Sequence, residues 1–296
     1  MTQNNNKLLI KTLVFTILAL IAFAANAVLC RWALGERSID AASFTSIRLC
    51  TGALVLYVIT RLHHTGSRST ARGNWPASVM LFTYAITFSF AYITLDTGTG
   101  ALILFGAVQI TMILLSYFRG NRLHLVEWLG VLLAFGGFVY LVLPGVSAPS
   151  LVGFLLMSVA GIAWGMYTLK GRGSSAPLLD TAYNFIRTLP LVLVVVLLSL
   201  LHAHYSTKGV VLAMLSGGIA SGIGYSIWYS ALGGLSSTQA AVVQLSVPVI
   251  AAFGGVIFVG EPITLRLTLA GVLILGGILL VVLGRYYFTQ RATRLK

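Results

Sequence analysis

Acidic residues are scarce in this chain. It carries six Asp and Glu against nineteen Lys and Arg, and charged residues of all kinds make up only 8% of its 296 positions. Soluble domains carry roughly 25%, so the chain cannot cover a water-facing surface. The acids are Glu36, Asp40, Asp96, Glu127, Asp180 and Glu261, and all fall in loops or at the ends of apolar runs. The histidines, His63, His64, His124, His202 and His204, do the same. No acid–base pair or metal-ligand set converges inside an apolar run, so neither an enzyme nor a bound metal or cofactor is expected. Cysteine is limited to Cys30 and Cys50, each inside an apolar run. That excludes a disulfide framework and leaves two small buried hydrophobes. Dense basic clusters are also missing, so the formal charge of +13 does not point to nucleic acid.

What fills the chain instead is hydrocarbon. Hydrophobic residues make up 58% of it and the mean hydropathy is +0.95. The apolar runs are long, unlike the roughly ten-residue alternating strands of a membrane barrel. Ten of them have bilayer-crossing length: 13–34, 41–60, 76–95, 99–118, 125–143, 151–169, 179–201, 210–229, 238–259 and 265–286. The polar stretch Met1 to Asn6 reads as a disordered tail. The first run is too long for a cleaved signal and reads as a retained span. With the N-terminus inside, thirteen basic residues fall on the cytoplasmic side, among them Arg68, Arg72, Arg119, Arg122, Lys170, Arg172 and Lys296. Only Arg31, Arg37, Lys208 and Arg266 fall outside. This asymmetry predicts cytoplasmic N- and C-termini.

A weak internal repeat runs at an offset of 139 or 140 residues. Ile47-Arg48-Leu49 matches Ile186-Arg187-Thr188, and Gly136-Gly137 matches Gly276-Gly277. Gly120-Asn121-Arg122 matches Gly260-Glu261-Pro262, and Phe88 matches Trp228. The expectation is two five-helix halves, residues 1–148 and 149–296. Five is odd, so the second half is inverted with respect to the first, and a substrate site is expected in a central cavity between them. Arg48 and Arg187 each lie about two turns into a span. Either they snorkel to the nearer headgroups, or they are equivalent gate residues at opposite ends.

The stretch from Met214 to Thr264 carries the most specific pattern. Gly224-Tyr225, Trp228-Tyr229, Ala231-Leu232, Pro248 and Gly260-Glu261 resemble the EamA-type members of the drug/metabolite transporter superfamily, and the general look is closest to bacterial exporters of amino acids and related metabolites. The resemblance implies a bacterial inner-membrane transporter working by alternating access on a small-molecule substrate, with Pro248 as a hinge. The first half departs from the pattern, with Val108 in the position of Pro248 and Asn121 in that of Glu261.

Inside the runs, the polar positions are uncharged and interleaved with aromatics. Asn26, Tyr84, Phe88, Trp164, Ser221, Tyr225, Trp228 and Gln244 are the candidate substrate-binding residues. Tyr84 and Phe88 are one turn apart, and Ser221, Tyr225 and Trp228 follow i, i+4, i+7 spacing. Each has a plainer reading as helix packing or interhelical hydrogen bonding. Gln109 reads more simply as interhelical glue, and Tyr57, Trp75, Trp128, Tyr140, Tyr286 and Tyr287 as interfacial belt residues. Gly222 and Gly224 are candidate hinge positions, or small residues for close packing. An aromatic, uncharged lining suits a bulky apolar amino acid. Without a titratable group at depth, passage is expected to be facilitative. Drugs, nucleotide sugars or a non-transporting, lipid-contacting membrane subunit are the alternatives. A nucleotide sugar would call for basic residues at depth, where only Arg48 and Arg187 qualify. One chain holding both halves suggests a monomer.

Overall fold

The computed structural model describes residues 2–62, 72–118, 120, 123–145, 148–171, 174–235 and 237–294. His63, His64, Arg68, Arg119, Asn121, Arg122, Arg172 and Lys296, all used in the sequence reading, lie outside them. The described residues form an all-α, multi-span membrane bundle. Its helices are α1 (Thr2–Gly35), α2 (Ala41–Leu62), α3 (Trp75–Ala91), α4 (Thr97–Phe118), α5 (Leu125–Val142), α6 (Leu151–Gly171) and α7 (Pro177–Ser199). They continue as α8 (Thr207–Leu232), α9 (Ser237–Gln244 followed by Val247–Gly254 and Gly255–Val259) and α10 (Leu265–Arg294). Among the described residues, nine are long and apolar enough to cross a bilayer; α3 has 17 residues, about 25 Å of helix.

The structure differs from the expected spans in four places. α1 starts at Thr2, not after a disordered tail, because Gln3 to Lys7 contain no proline or glycine to stop a helix already running. α3 ends at Ala91, four residues early. The Ile93 and Thr94 N–H groups bond back only three residues, to Phe90 and Ala91, and the carbonyls of Tyr92 and Ile93 accept Arg31 Nη1, each at 3.2 Å. α8 is not uniformly α-helical, since Leu215–Ile223 winds as a π-helix. α9 is broken at Leu245 and Ser246, whose N–H groups bond back only three residues, to Val242 and Val243. Pro248 is the reason: it has no N–H for the carbonyl four residues earlier, Gln244, and its ring crowds that turn.

Nearly all close helix packing runs between the first five helices and the last five. α2 packs on α7 and α8, α3 and α4 on α6, α1 on α8 and α9, α4 on α9, and α5 on α10. Glycines set the closest approaches. A Cβ at Gly130 would meet the Gly277 carbonyl at 2.5 Å, and one at Gly277 the Gly130 carbonyl at the same distance, so α5 and α10 cross backbone to backbone. Gly217 in the π-segment has room for no Cβ against the Arg48 carbonyl and Thr51, which fixes α8 on α2. The outward faces are apolar, as a bilayer requires: Leu193, Leu197 and Leu198 on α7 and Leu129 and Leu132 on α5 are exposed.

Candidate functional site

A cavity of about 380 Å³ lies between α1, α3, α4, α6, α7, α8 and α9. It reaches the end of the bundle that carries the chain termini, where Asn74, Lys170, Ser174 and Asp180 line its mouth. Asp180 is held there: its carboxylate accepts from the Gly73 N–H at 2.6 Å and from the Ser174 hydroxyl. Next to it, Asn184 Oδ1 accepts from the Asn74 N–H at 2.9 Å, so the start of α7 is stitched to the start of α3.

Deeper in, the walls are aromatic. Trp164 stands in the middle, its ring 4.7 Å from Tyr84, 5.3 Å from Tyr167 and 5.5 Å from Tyr225, the last pair nearly parallel. Phe23 closes on Tyr225 and edge-on against Trp228, and Phe88 packs on Tyr84. The amides of Asn26, Gln109 and Gln244 and the hydroxyls of Tyr167, Thr181 and Tyr229 supply the polarity. Thr181 Oγ1 sits 2.8 Å from the Tyr229 hydroxyl and accepts from Tyr167 at 3.3 Å. An aromatic box with scattered neutral hydrogen-bonding groups holds a small amphipathic molecule and orients it.

Of the sequence-predicted residues, Asn26, Tyr84, Phe88, Trp164, Tyr225, Trp228 and Gln244 meet around this one cavity. Ser221 does not reach the wall; it is buried behind Asn26, to whose Oδ1 it donates at 3.4 Å, beside a 2.7 Å bond from Ser216. Its expected face assumed α-helical spacing. It lies in the π-segment, where i→i+5 bonding adds a residue per turn and rotates the face away. Gly222 lies in the same segment, against Val55, and Gly224 begins the α-helix after it, against Ala22. Pro248 sits in the first turn beyond the α9 break. Arg48 and Arg187 have unlike surroundings. Arg48 is 2% exposed, behind Tyr84 and Phe88. Arg187 is half-buried at the cavity-mouth end, donating to the Arg72 carbonyl.

Gln109, read from the sequence as interhelical glue, is buried at the cavity wall, with its Nε2 lacking a partner among the described residues. Sequence reasoning counted Arg31 as an outer basic residue and missed its pairing. At the end opposite the cavity mouth, Arg31 Nε donates to Glu261 at 2.7 Å, and Arg31 Nη2 lies 3.5 Å from Asp96. The second Glu261 oxygen accepts the N–H of Thr97, the first residue of α4, at 2.7 Å. One carboxylate thus ties α1, α4 and the end of α9 together, favourably placed at a helix N-terminus. Burial and the nearby Glu261 charge push the Asp96 carboxyl above its ordinary range, with Arg31 opposing. Asp40 at the same end is held low despite burial, by its bonds to the Ser43 and His204 N–H groups.

A model of the EamA-like transporter family matches residues 151–283. An uncharacterised protein of Pseudomonas aeruginosa is 50% identical over 275 residues, covering 93% of this chain and 96% of that protein. An uncharacterised transporter of Archaeoglobus fulgidus is 27% identical over 207 residues, 67% of this chain and 72% of its own. A crystal structure at 18% identity superposes with a TM-score of 0.60 over 90% of this chain and 96% of the other, which shows a shared fold. With its many apolar helices and this kinship, the chain belongs to the EamA-like transporter family of the drug/metabolite transporter superfamily and is a multi-pass membrane transporter.

Proposed function

We propose that the chain is a facilitative exporter of bulky apolar or aromatic amino acids and related small metabolites, working by alternating access in the bacterial inner membrane. The single observation that carries the reading is the aromatic box around Trp164, open toward one end of the bundle and sealed from the other by the Arg31–Glu261 cluster. A cavity of about 380 Å³ suits one amino acid rather than a nucleotide sugar. Taking the termini as cytoplasmic, the conformation is open inward, poised to load cargo from the cell. Support for inverted halves comes from the α5–α10 crossing. Gly137 faces Ile274 as Gly277 faces Ala134, a reciprocal pair at an offset of 140 residues. Proton coupling is disfavoured because the carboxylates nearest the cavity sit at its mouth or at the sealed end, not beside Trp164. A monomer suffices, since both halves line the cavity.

The test is uptake by proteoliposomes of the purified chain, over a panel of labelled amino acids, with and without an imposed pH gradient. Saturable equilibration with competition by phenylalanine or leucine is expected. Accumulation driven by the pH gradient alone would overturn the facilitative mechanism, and no amino-acid uptake would overturn the substrate class.

A further inference from the structure

Arg48 is a buried cation with no counter-charge among the described residues. The ion pairs among the described residues join Arg31 to Asp96 and Glu261, and Lys208 to Glu36; Arg48 is in none of them. Its guanidinium lies 4.8 Å from the Phe88 ring and 5.2 Å from the Tyr84 ring. Nη2 donates to the Tyr84 hydroxyl at 2.9 Å, and Nη1 is buried without any partner. Burying an unpaired charge is costly, and stacking on aromatic faces returns only part of that cost. A residue serving merely to join α2 to α3 would do so more stably without the charge. The two rings that cover Arg48 are also walls of the substrate cavity.

We infer that Arg48 receives the carboxylate of the transported molecule, with the Tyr84 hydroxyl holding its place when no cargo is bound. The inference rests on the amino-acid reading and deepens it. A planar guanidinium offers paired donors that match a carboxylate. A carboxylate oxygen is a better acceptor than a phenol. Cargo therefore displaces the Tyr84 hydroxyl, turns that ring aside and satisfies Nη1 in the same movement. The apolar body of the cargo stays against Trp164 and Tyr225. Tyr84 becomes the element that senses whether cargo is present, because its position depends on what Arg48 holds.

The test is calorimetric titration of the purified full chain with phenylalanine, 3-phenylpropionate, which lacks the amine, and phenylalaninol, which lacks the carboxylate. The wild type is expected to bind both carboxylates about tenfold or more tightly than phenylalaninol, as a charged hydrogen bond implies. Arg48→Gln should erase that preference, so that within this variant the two carboxylates bind no more tightly than phenylalaninol. Arg48→Lys, which keeps the charge and guards against a folding defect in Arg48→Gln, should retain part of it. A preference that survives Arg48→Gln overturns the inference, as does equal loss of all three ligands in a variant that melts like the wild type. Amino-acid binding indifferent to Arg48 sinks this inference alone. Arg48-dependent binding of phenylpropionate without phenylalanine sinks only the amino-acid reading. No bound carboxylate at all sinks both.

Discussion

Glu261 does two jobs with two oxygens: one pairs with Arg31, the other caps α4. Glu261→Gln keeps the shape and removes the charge. Hydrogen bonds to charged groups contribute roughly 1.5–3 kcal/mol, so losing about 2 kcal/mol shifts the closed-to-open ratio at this end by about thirtyfold. Cys30, buried one residue before Arg31, reports it. In a Cys50→Ser background, Glu261→Gln should speed labelling of Cys30 by an impermeant thiol reagent from that side. Asp96 gives the same end a pH dependence. Its carboxyl is raised by burial and by Glu261, so the closed arrangement binds a proton more readily than an open, hydrated one. That contribution to closure is complete below the ordinary carboxylate range and is lost as pH rises through the raised value. Cys30 labelling relative to an Asp96→Asn control should therefore increase across that window; a flat ratio would exclude Asp96 from closure.

Helix α9 shows how a proline acts ahead of its own position. Pro248 was legible in the sequence, and the break lies just before it, at Leu245 and Ser246, because the unmatched carbonyl belongs to Gln244. The break lies where α9 lines the cavity through Ala240, Ala241 and Gln244. Pro248→Ala restores the missing N–H, so α9 should stiffen. The expected result is a slower initial uptake rate with an unchanged or higher melting temperature. An unchanged rate would remove Pro248 from the moving parts. The π-segment of α8 had no such signature. Gly222 and Gly224 were legible as close-packing positions, and each lies against a neighbouring helix, but glycine content alone does not distinguish π from α winding. Ser221 was misplaced for that reason.

At the scale of the molecule, span length and apolarity made the bundle legible, and aromatic residues interrupting apolar runs made part of the cavity wall legible. The Arg31–Glu261 pair, 230 residues apart in the chain, has no local pattern that could announce it. The burial of Arg48 likewise depends on α3 lying across it. Packing between the two halves also bears on assembly. Residues 1–148 leave α2, α3, α4 and α5 without their main neighbours, and residues 149–296 do the same for α6 to α10. Expressed separately, neither half should accumulate, whereas the two produced together should yield a complex that transports; a stable, folded single half would contradict this.

The crossing of α5 and α10 has a mechanical consequence. Neither helix contributes to the cavity wall, and at Gly130 and Gly277 they meet backbone to backbone, leaving no layer of side chains to slide or repack. Close-packed contacts of this kind hold or break but do not stretch. On the alternating-access reading, the helices around the cavity tilt by turning about a line that stays fixed, and this seam, off to one side of the cavity, is the axle that reading calls for.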